Sequence, residues 1–245
     1  MRFIPATLFS ILFYMIWGTL LLLFHPIQVV AYNLFGYSAH KKTVDLLNYL
    51  LVKNLYILLC RPVFIGFEKL PKNKPLIIVA NHQSLFDISP VVYGFRKHHA
   101  KFISKKELSK GIPSVSYNLR KGGSVLIDRA SGSQAIKEIL RLGKQMEEKN
   151  FSACIFPEGT RSKKGKLRKF QAAGLKTLLK ASPTAIIIPF VINGNYKLHK
   201  YGMFPLNIGL RLEYKALKPI ERNKHTADSL IQEIELTIQN ALLFS

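Results

Sequence analysis

From residue 63 onward, short apolar runs alternate with segments whose apolar residues recur every three to four positions. The short runs have the length and composition of buried strands, at residues 63–67, 76–80, 101–104, 124–127, 153–156, 186–192 and 208–214. The other segments have the spacing of helices that pack on a sheet, at residues 85–95, within 106–119, and at 133–149, 172–181 and 226–243. Strands that alternate with helices predict an α/β fold with a mostly parallel or mixed sheet flanked by helices.

The N-terminal part of the chain has a different pattern. Residues 3–24 carry no charged side chain, and a helix of this length is about 33 Å long, enough to cross a hydrocarbon core of ~30 Å. A second apolar segment, residues 44–59, follows a basic pair and ends before Pro62, which indicates a helix in a membrane interface or against the first one. We therefore predict N-terminal membrane-associated helices over residues 1–61 and an α/β domain over 62–245.

Residues 3–24 also allow other interpretations. A secretory signal peptide is disfavoured, because the uncharged stretch is longer than a typical signal core and no clear Ala-x-Ala cleavage site follows it. Pro5 and Gly18 are compatible with a helix that bends or lies within one leaflet. The pattern therefore leaves open whether the helix spans the membrane or re-enters it.

The chain is strongly basic, with a formal net charge of +22 and a pI near 10.1. Such a surface favours polyanionic partners, which include nucleic acid, anionic lipid, phosphorylated ligands and an acidic carrier protein. Nucleic acid is disfavoured, because no RNA- or DNA-binding motif is present and a membrane-tethered basic domain has anionic headgroups beside it. The positive-inside tendency predicts a protein of the cell inner membrane whose basic α/β domain faces the cytoplasm.

The two cysteines, Cys60 and Cys154, both lie in apolar runs. This placement indicates buried thiols in a reducing compartment rather than a disulfide framework. No Cys or His spacing typical of zinc is present, so we expect no metal site.

His82 and Asp87 directly follow the apolar run at residues 76–80. An imidazole titrates near neutrality and can take a proton from a hydroxyl, and a carboxylate on its other nitrogen fixes the tautomer and stabilises the imidazolium. The spacing predicts His82 in the turn before a helix and Asp87 in its first turn. The alternative is structural: Ser84 is the N-cap, Asp87 completes a capping box, and His82 is an ordinary loop residue. The pair alone does not decide between them.

A loop rich in phosphate-binding residue types follows the run at residues 153–156. Gly159 permits close backbone approach, Thr160 and exposed amides can donate to phosphate oxygens, and Arg161 offers a bidentate fork. Glu158 repels a phosphate, and two roles stay open for it: it orients Arg161, or it accepts from a substrate hydroxyl. A solvated basic loop with a structural Glu–Arg pair is the alternative.

Two other strand ends carry candidate cations. Arg129 follows the run at residues 124–127, and Lys105 closes the run at 101–104. Two interpretations stay open for Asp128: it holds Arg129 in place, or the two form an ordinary exposed pair. Ligands of α/β folds collect at the ends of strands, so we expect these residues to meet the loop that carries Arg161. Pro189, within the run at residues 186–192, predicts an edge strand, a bulge or a strand end there.

In this order the blocks resemble the 1-acylglycerol-3-phosphate acyltransferase family, part of the wider glycerophospholipid acyltransferases. The matching blocks are residues 81–87, similar to its His-x4-Asp block, 123–129, 156–161 and the proline block at 188–189. Two departures stand out. Residues 125–126 replace a more usual aromatic-containing pair and concern packing, whereas residues 170–174 replace the commoner Phe-Lys-x-Gly and bear on acceptor choice.

The resemblance implies a membrane-bound enzyme of phospholipid biosynthesis. It would move a fatty acyl group from acyl-CoA or acyl-carrier protein to the sn-2 hydroxyl of lysophosphatidic acid, giving phosphatidic acid, with no metal and no bound cofactor. Its partners would be the lysophospholipid acceptor, the thioester donor, with acyl-carrier protein as one candidate, and anionic membrane lipid. An acyltransferase acting on glycerol 3-phosphate or another lysophospholipid is the alternative, and an inactive anionic-membrane-binding scaffold is the non-enzyme alternative.

The resemblance also implies roles for single residues. His82 would deprotonate the acceptor hydroxyl, and Asp87 would steady the imidazolium. The glycerol phosphate would be bound by the remaining candidates: Glu158, Gly159, Thr160, Arg161, Arg129 and Lys105.

Overall fold

A computed structural model describes residues 3–128, 130–222 and 226–243. Seven strands form one mixed sheet in the order β1-β7-β6-β2-β5-β3-β4. The strands are β1 (Arg61–Ile65), β2 (Leu76–Ala80), β3 (Lys101–Lys105), β4 (Val125–Ile127), β5 (Ala153–Ile155), β6 (Ile186–Asn193) and β7 (Arg211–Ala216). Every pairing is parallel except that of β6 with β7, so the predicted α/β fold with a mostly parallel or mixed sheet is confirmed.

In the described part of the chain, six α-helices cover the sheet, together with short 3-10 turns. They are α1 (Phe3–Asn54), α2 (Ile88–Gly94), α3 (Val115–Lys121), α4 (Gly132–Lys149), α5 (Ala172–Ala181) and α6 (Ala227–Leu243). The predicted helix at residues 85–95 begins as a 3-10 turn, Leu85–Asp87, before it becomes α2.

The core has two halves, one on each face of the sheet, and β2 shows why. All five of its residues are fully buried, and they alternate between the faces because successive strand side chains point in opposite directions. Leu76, Ile78 and Ala80 join the half that contains residues of α1 and α2, whereas Ile77 and Val79 join the half that contains residues of α4, α5 and α6.

Helix α1 is longer than the two separate apolar segments that the pattern predicts. Helical backbone continues through Pro26 and breaks only at Gly36, where φ is 76° and ψ is −170°, a conformation that glycine adopts without the penalty of a Cβ. The break divides α1 into a first arm, residues 3–35, and a second arm, residues 37–54. Asn54 donates its side-chain amide to the Phe13 carbonyl at 3.0 Å, so the end of the second arm lies beside the start of the first.

The first arm packs along the α/β domain instead of projecting from it. Leu206 donates its N–H to Ser10 Oγ at 2.8 Å near one end, and just beyond the other end Tyr37 donates its hydroxyl to the Gly122 carbonyl at 3.2 Å. The helix between these contacts is about 40 Å long. Its other side exposes large apolar residues: Ile4, Leu8, Ile11, Leu12, Met15, Leu22, Leu23, Ile27, Val30, Leu34 and Phe35.

The prediction for Pro189 is wrong, because β6 is an interior strand. Pro189 pairs with Val79 of β2, and its carbonyl accepts the Leu217 N–H at 3.0 Å. In a strand, the nitrogen and the carbonyl oxygen of one residue point toward the same neighbouring strand. The pairing of β6 with β7 ends at Phe190 and Ala216. The missing N–H of Pro189 therefore faces the position just past the end of β7, where no ladder partner requires it.

Strands β2, β5, β3 and β4 are consecutive in the sheet and run parallel. Their carboxyl ends therefore lie at one edge. The segments that leave this edge are residues 81–87 after β2, residues 156–162 after β5, Lys105 at the end of β3, and Asp128 after β4. Long stretches of chain separate these segments, and the sheet brings them together.

Candidate active site

His82 and Asp87 form a hydrogen-bonded pair at this edge. His82 Nδ1 lies 2.8 Å from Asp87 Oδ2. The Asp87 side chain is fully buried, whereas 19% of the His82 side chain remains exposed. A buried carboxylate thus supports an imidazole that a ligand can still reach.

The alternative interpretation of residues 82–87, in which Ser84 and Asp87 form a capping box, is confirmed as well. Ser84 accepts the Phe86 N–H on its hydroxyl, and Asp87 Oδ2 accepts the Ser84 N–H at 2.9 Å, which completes a capping box. Asp87 Oδ2 also accepts the Gln83 N–H at 2.6 Å. The cap therefore fixes the carboxylate in the position from which it reaches His82, so the two interpretations describe one arrangement.

The second oxygen of Asp87 meets a residue that the sequence analysis missed. Asn195 donates its side-chain amide to Asp87 Oδ1 at 2.7 Å, and Tyr214 donates its hydroxyl to Asn195 Oδ1 at 2.9 Å. All three side chains are fully buried. No local signal marks Asn195 or Tyr214 as part of the site, because their contacts depend on the pairing of β6 with β7.

Two contacts orient the imidazole of His82: the hydrogen bond with Asp87 and a stacking contact with Phe156. Its ring stacks on Phe156, with centroids 4.4 Å apart and an interplanar angle of 28°. Because Nδ1 faces Asp87, the ring presents Nε2 away from the carboxylate. With the Nδ1 proton donated to Asp87, the lone pair of Nε2 can accept a proton from a hydroxyl, which is the chemistry of a general base.

The structure places Glu158 behind His82, only 2% exposed. Its Oε1 accepts the His82 N–H at 2.6 Å, and its Oε2 accepts the Arg168 N–H at 2.9 Å. Burial raises the pKa of the Glu158 carboxyl, and the two amides oppose that shift. Within the described residues Glu158 makes no ion pair with Arg161, so this geometry favours a role in holding the loop against His82.

The loop also touches the carbonyl of His82. Ser162 donates its N–H to that oxygen at 2.7 Å, so residues 158 and 162 bracket both backbone groups of His82. Thr160 and Arg161, between these contacts, are exposed. Arg161 therefore lies on a short loop that is anchored on both sides to the backbone of His82.

Gly159 has φ 67°, in the region that favours glycine. A Cβ at this position would lie 2.9 Å from Gln171 Nε2. Gln171 is one of the residues at which the chain departs from the family pattern, and its N–H donates to the Pro157 carbonyl at 2.8 Å. The departure therefore packs directly on the loop that carries Arg161.

The remaining candidates lie farther along the same edge. Lys105 is exposed at the end of β3, two strands from β2 and hence about 10 Å away across the sheet. Arg129 lies outside the described residues. Asp128 accepts the Ala130 N–H on Oδ1 at 2.9 Å, and its own N–H donates to Gln134 Oε1 at 2.9 Å, so it organises the turn into α4.

Among residues 3–128, 130–222 and 226–243, no cluster of three or more His, Cys, Asp or Glu side chains is placed to hold a metal ion. Cys60 and Cys154 are free and buried; Cys60 directly precedes β1, and Cys154 lies in β5.

The sequence of this chain is similar to those of known acyltransferases. The sequence model of the family described as "Acyltransferase" matches residues 61–193, more than half of the chain. An uncharacterized acyltransferase of Schizosaccharomyces pombe is 31% identical over 72% of this chain and 63% of its own length. A 1-acyl-sn-glycerol-3-phosphate acyltransferase of Saccharomyces cerevisiae is 31% identical over 68% of this chain and 54% of its own length. The chain thus spans about half the length of such relatives.

A solved structure is similar over nearly the whole chain. The crystal structure of the 1-acyl-sn-glycerophosphate (LPA) acyltransferase from Thermotoga maritima superposes with a TM-score of 0.80. It is 26% identical, and the match covers 99% of this chain and 96% of that one. The similarity includes the N-terminal helical arms as well as the sheet, since it extends over almost every residue.

Proposed function

Because this chain belongs to the acyltransferase family, we propose that it transfers a fatty acyl group from an acyl thioester to the sn-2 hydroxyl of 1-acylglycerol 3-phosphate, forming phosphatidic acid. The observation that carries the proposal is the 2.8 Å contact between His82 Nδ1 and Asp87 Oδ2. It lies at the strand edge to which the Arg161 loop is anchored. In this proposal the general base and the phosphate-binding cation lie on two segments that contact each other through the backbone of His82.

The proposed reaction uses His82 as general base and then as general acid. Nε2 takes the proton of the acceptor hydroxyl while the oxygen attacks the thioester carbonyl carbon. Asp87 stabilises the imidazolium that forms, and it remains ionised. When the tetrahedral intermediate collapses, the carbon–sulfur bond breaks and the imidazolium returns its proton to the departing thiolate. The acyl group passes directly to the acceptor, so no covalent enzyme intermediate is required.

In this proposal the phosphate of the acceptor binds to the loop after β5. Arg161 supplies a planar fork that matches two phosphate oxygens, and Thr160 and the backbone at Gly159 supply further donors. Lys105, and Arg129 in the undescribed position after β4, would add positive charge at the same edge. Glu158 would act through the backbone of His82, since both of its oxygens already accept backbone amides.

We further propose that residues 1–61 form the membrane-associated part and residues 62–245 the catalytic domain. Helix α1 is long and apolar enough to cross a membrane by length and composition, with a mean hydropathy of 2.1 over its most apolar window. The α/β domain, however, contacts α1 near Ser10 and again at Tyr37. A helix bound to the domain over about 40 Å fits a chain that lies in one leaflet better than one that spans the bilayer.

The proposed orientation and partners follow from charge. With a net charge of +22, the chain would be attracted to anionic lipid on the cytoplasmic face of the inner membrane. The same charge suits either donor, because acyl-CoA and acyl-carrier protein are both anionic. Acyl chains would reach His82 from the leaflet along α1, whose residues Phe13 and Trp17 pack on Phe86, immediately before Asp87.

The experiment gives purified, detergent-solubilised protein labelled acyl-CoA or acyl-carrier protein with three acceptors: 1-acylglycerol 3-phosphate, glycerol 3-phosphate and a phosphate-free monoacylglycerol. We expect phosphatidic acid from the first. His82→Ala is expected to lower kcat on the order of a thousandfold, and Arg161→Ala to raise KM for the phosphorylated acceptor about tenfold. His98→Ala and Arg168→Ala are the matched controls, since Arg168 contributes its backbone amide to Glu158.

Two results would overturn parts of the proposal separately. Undiminished turnover by folded His82→Ala protein removes the general-base mechanism. Equal rates with phosphorylated and phosphate-free acceptors remove the phosphate site at Arg161, whereas exclusive use of glycerol 3-phosphate changes the acceptor while leaving the chemistry intact.

A further inference from the structure

The loop between β6 and β7 exposes two large apolar side chains. Met203 is 53% exposed and Phe204 is 50% exposed, whereas nearby Leu206 is fully buried. The loop therefore keeps Leu198, Leu206 and Ile208 in the core and turns Met203 and Phe204 outward. Exposed apolar side chains that lie next to each other indicate an interaction site more strongly than a single exposed apolar residue does.

The loop is attached to the first arm of α1. Tyr14 donates its hydroxyl to the Met203 carbonyl at 2.6 Å, and the rings of Tyr14 and Phe204 lie 6.5 Å apart. Ser10, one turn earlier on the same side of the helix, accepts the Leu206 N–H at 2.8 Å. Met203 and Phe204 thus lie beside the first arm of α1, next to Tyr14, and add two exposed apolar side chains to those of the helix.

The same loop contacts residues 84–87, the turn that ends at Asp87. His199 Nε2 lies 2.8 Å from Ser84 Oγ, and Ser84 is the residue that caps the turn ending at Asp87. The His199 ring also stacks on Phe86, with centroids 5.8 Å apart and planes within 7° of parallel. Only four residues separate His199 from Phe204 along the chain, so the exposed apolar pair lies close in sequence to a residue that contacts the turn ending at Asp87.

The charge around the pair is positive. Lys197 and Lys200 are exposed on this connection, and residues 195–209 contain no acidic residue. Apolar side chains at a loop tip with lysines beside them match the boundary between acyl chains and anionic headgroups, since the apolar groups enter the hydrocarbon and the ammonium groups stay at the surface.

We infer that Met203 and Phe204 form a second lipid-inserting contact beside α1, placed in the leaflet at the entrance of the catalytic site. The partner is the acyl region of an anionic bilayer. This inference rests on the proposed function, because it takes α1 to be membrane-bound. It adds that the catalytic domain itself enters the leaflet on the side of Ser84 and Asp87, which lets a lysolipid move to His82 without leaving the lipid phase.

Tryptophan fluorescence measures the insertion directly, because Trp17 is the single native tryptophan. In a Trp17→Phe background, Phe204→Trp places an indole at the loop tip and Leu12→Trp places one on α1. Leu236→Trp is the matched control, since Leu236 is 57% exposed on α6, which packs on the opposite face of the sheet. Each variant is mixed with vesicles of phosphatidylcholine and phosphatidylglycerol whose phosphatidylcholine is brominated on its acyl chains.

We expect bromine to quench the indole of the Phe204→Trp and Leu12→Trp proteins several-fold more than that of the Leu236→Trp protein. Quenching of Leu12→Trp without quenching of Phe204→Trp overturns the loop contact and leaves the membrane-bound α1 intact. If neither is quenched while the proteins still acylate detergent-dispersed acceptor, membrane binding itself fails, and the inference fails with it.

A second measurement links insertion to turnover. Met203→Asp and Phe204→Asp are each expected to lower the rate with lysolipid embedded in the same vesicles on the order of tenfold, as expected for losing the burial of one large apolar side chain. The rate with a short-chain, water-soluble acceptor is expected to stay unchanged, because neither side chain belongs to the reacting groups. An equal loss with both acceptors would show that the loop shapes the site itself, and would overturn the inference.

Discussion

Asn195 donates its side-chain amide to Asp87 Oδ1 over 2.7 Å, while Asp87 Oδ2 faces His82 Nδ1. The carboxylate is therefore held at both oxygens. Tyr214 decides which way the amide of Asn195 points, because its hydroxyl donates to the amide oxygen and leaves the NH2 group for Asp87. A buried chain of hydrogen bonds thus runs from Tyr214 of β7 through Asn195 and Asp87 to the imidazole.

Removing the Asn195 amide is expected to impair turnover. Asn195→Ala leaves Asp87 Oδ1 buried without its donor, and a hydrogen bond to a charged group contributes about 1.5–3 kcal/mol, so we expect kcat to fall roughly tenfold to a hundredfold. KM for the acceptor is expected to stay the same, because Asn195 is fully buried behind Asp87. Steady-state kinetics on protein with an unchanged circular dichroism spectrum measures both.

Tyr214→Phe provides a graded comparison. It removes the group that orients the Asn195 amide but leaves the amide present, so its effect on kcat is expected to be smaller than that of Asn195→Ala. A larger loss of kcat in Tyr214→Phe than in Asn195→Ala would contradict the proposed order of hydrogen bonds, in which Tyr214 acts through Asn195.

Glu158→Gln tests how the loop after β5 is anchored. Glutamine keeps one acceptor but turns an NH2 group toward either the His82 N–H or the Arg168 N–H, both of which now donate to the carboxylate. The free energy of unfolding is expected to fall by about 1–3 kcal/mol, and kcat with it. Glu138→Gln, which breaks an exposed ion pair with Arg141, is the control and is expected to cost less than ~1 kcal/mol. Equal stability losses would remove the anchoring role.

Gly159→Ala is expected to distort the loop of Arg161. The backbone has φ 67° there, and the added Cβ would lie 2.9 Å from Gln171 Nε2. We expect a higher KM for the phosphorylated acceptor in addition to a loss of stability of roughly 1–2 kcal/mol. Gly111→Ala is the matched comparison, since Gly111 has φ 81° with open space at the Cβ position. It is expected to lose stability without a change in KM, and a change of KM in both variants would argue against a specific loop effect.

Lys101 predicts a pH dependence of stability. It is only 6% exposed and its ammonium lies 4.7 Å from the Tyr37 ring centroid. Burial, reinforced by Lys41 and opposed by Asp45, lowers the pKa of Lys101 from 10.5 to about 7. Between these two values the unfolded chain binds more protons than the native state, so the free energy of unfolding is expected to rise with pH across this window.

Lys101→Met is expected to reduce that rise, because the variant no longer has a buried amine that must lose its proton. Thermal unfolding in detergent at pH 7 and at a pH near the upper end of the window measures the difference between the native protein and the variant. Lys106→Met, at an exposed position, is expected to keep the full slope. An identical slope in all three proteins would show that Lys101 is solvated in solution.

Much of the architecture follows from local pattern. The run at residues 76–80 is strand β2 to the residue, and the strand and helix alternation after residue 63 produces the α/β sheet. The family resemblance drawn from four short blocks agrees with the matched family over residues 61–193. Even the relation of His82 to Asp87 is local, because a capping box places the carboxylate within reach of a residue five positions earlier.

The tertiary structure decided the features that depend on distant segments. Asn195 reaches Asp87 only because β6 lies beside β2, Pro189 is tolerated in an interior strand only because β7 ends beside it, and Glu158 meets the backbone of His82 across the sheet edge. Strands, helices and caps depend on backbone geometry and on the spacing of apolar residues over a few positions. A short window of the sequence contains this information. The partner of a buried polar group is chosen by strand order and register, which only the packing of the complete core establishes.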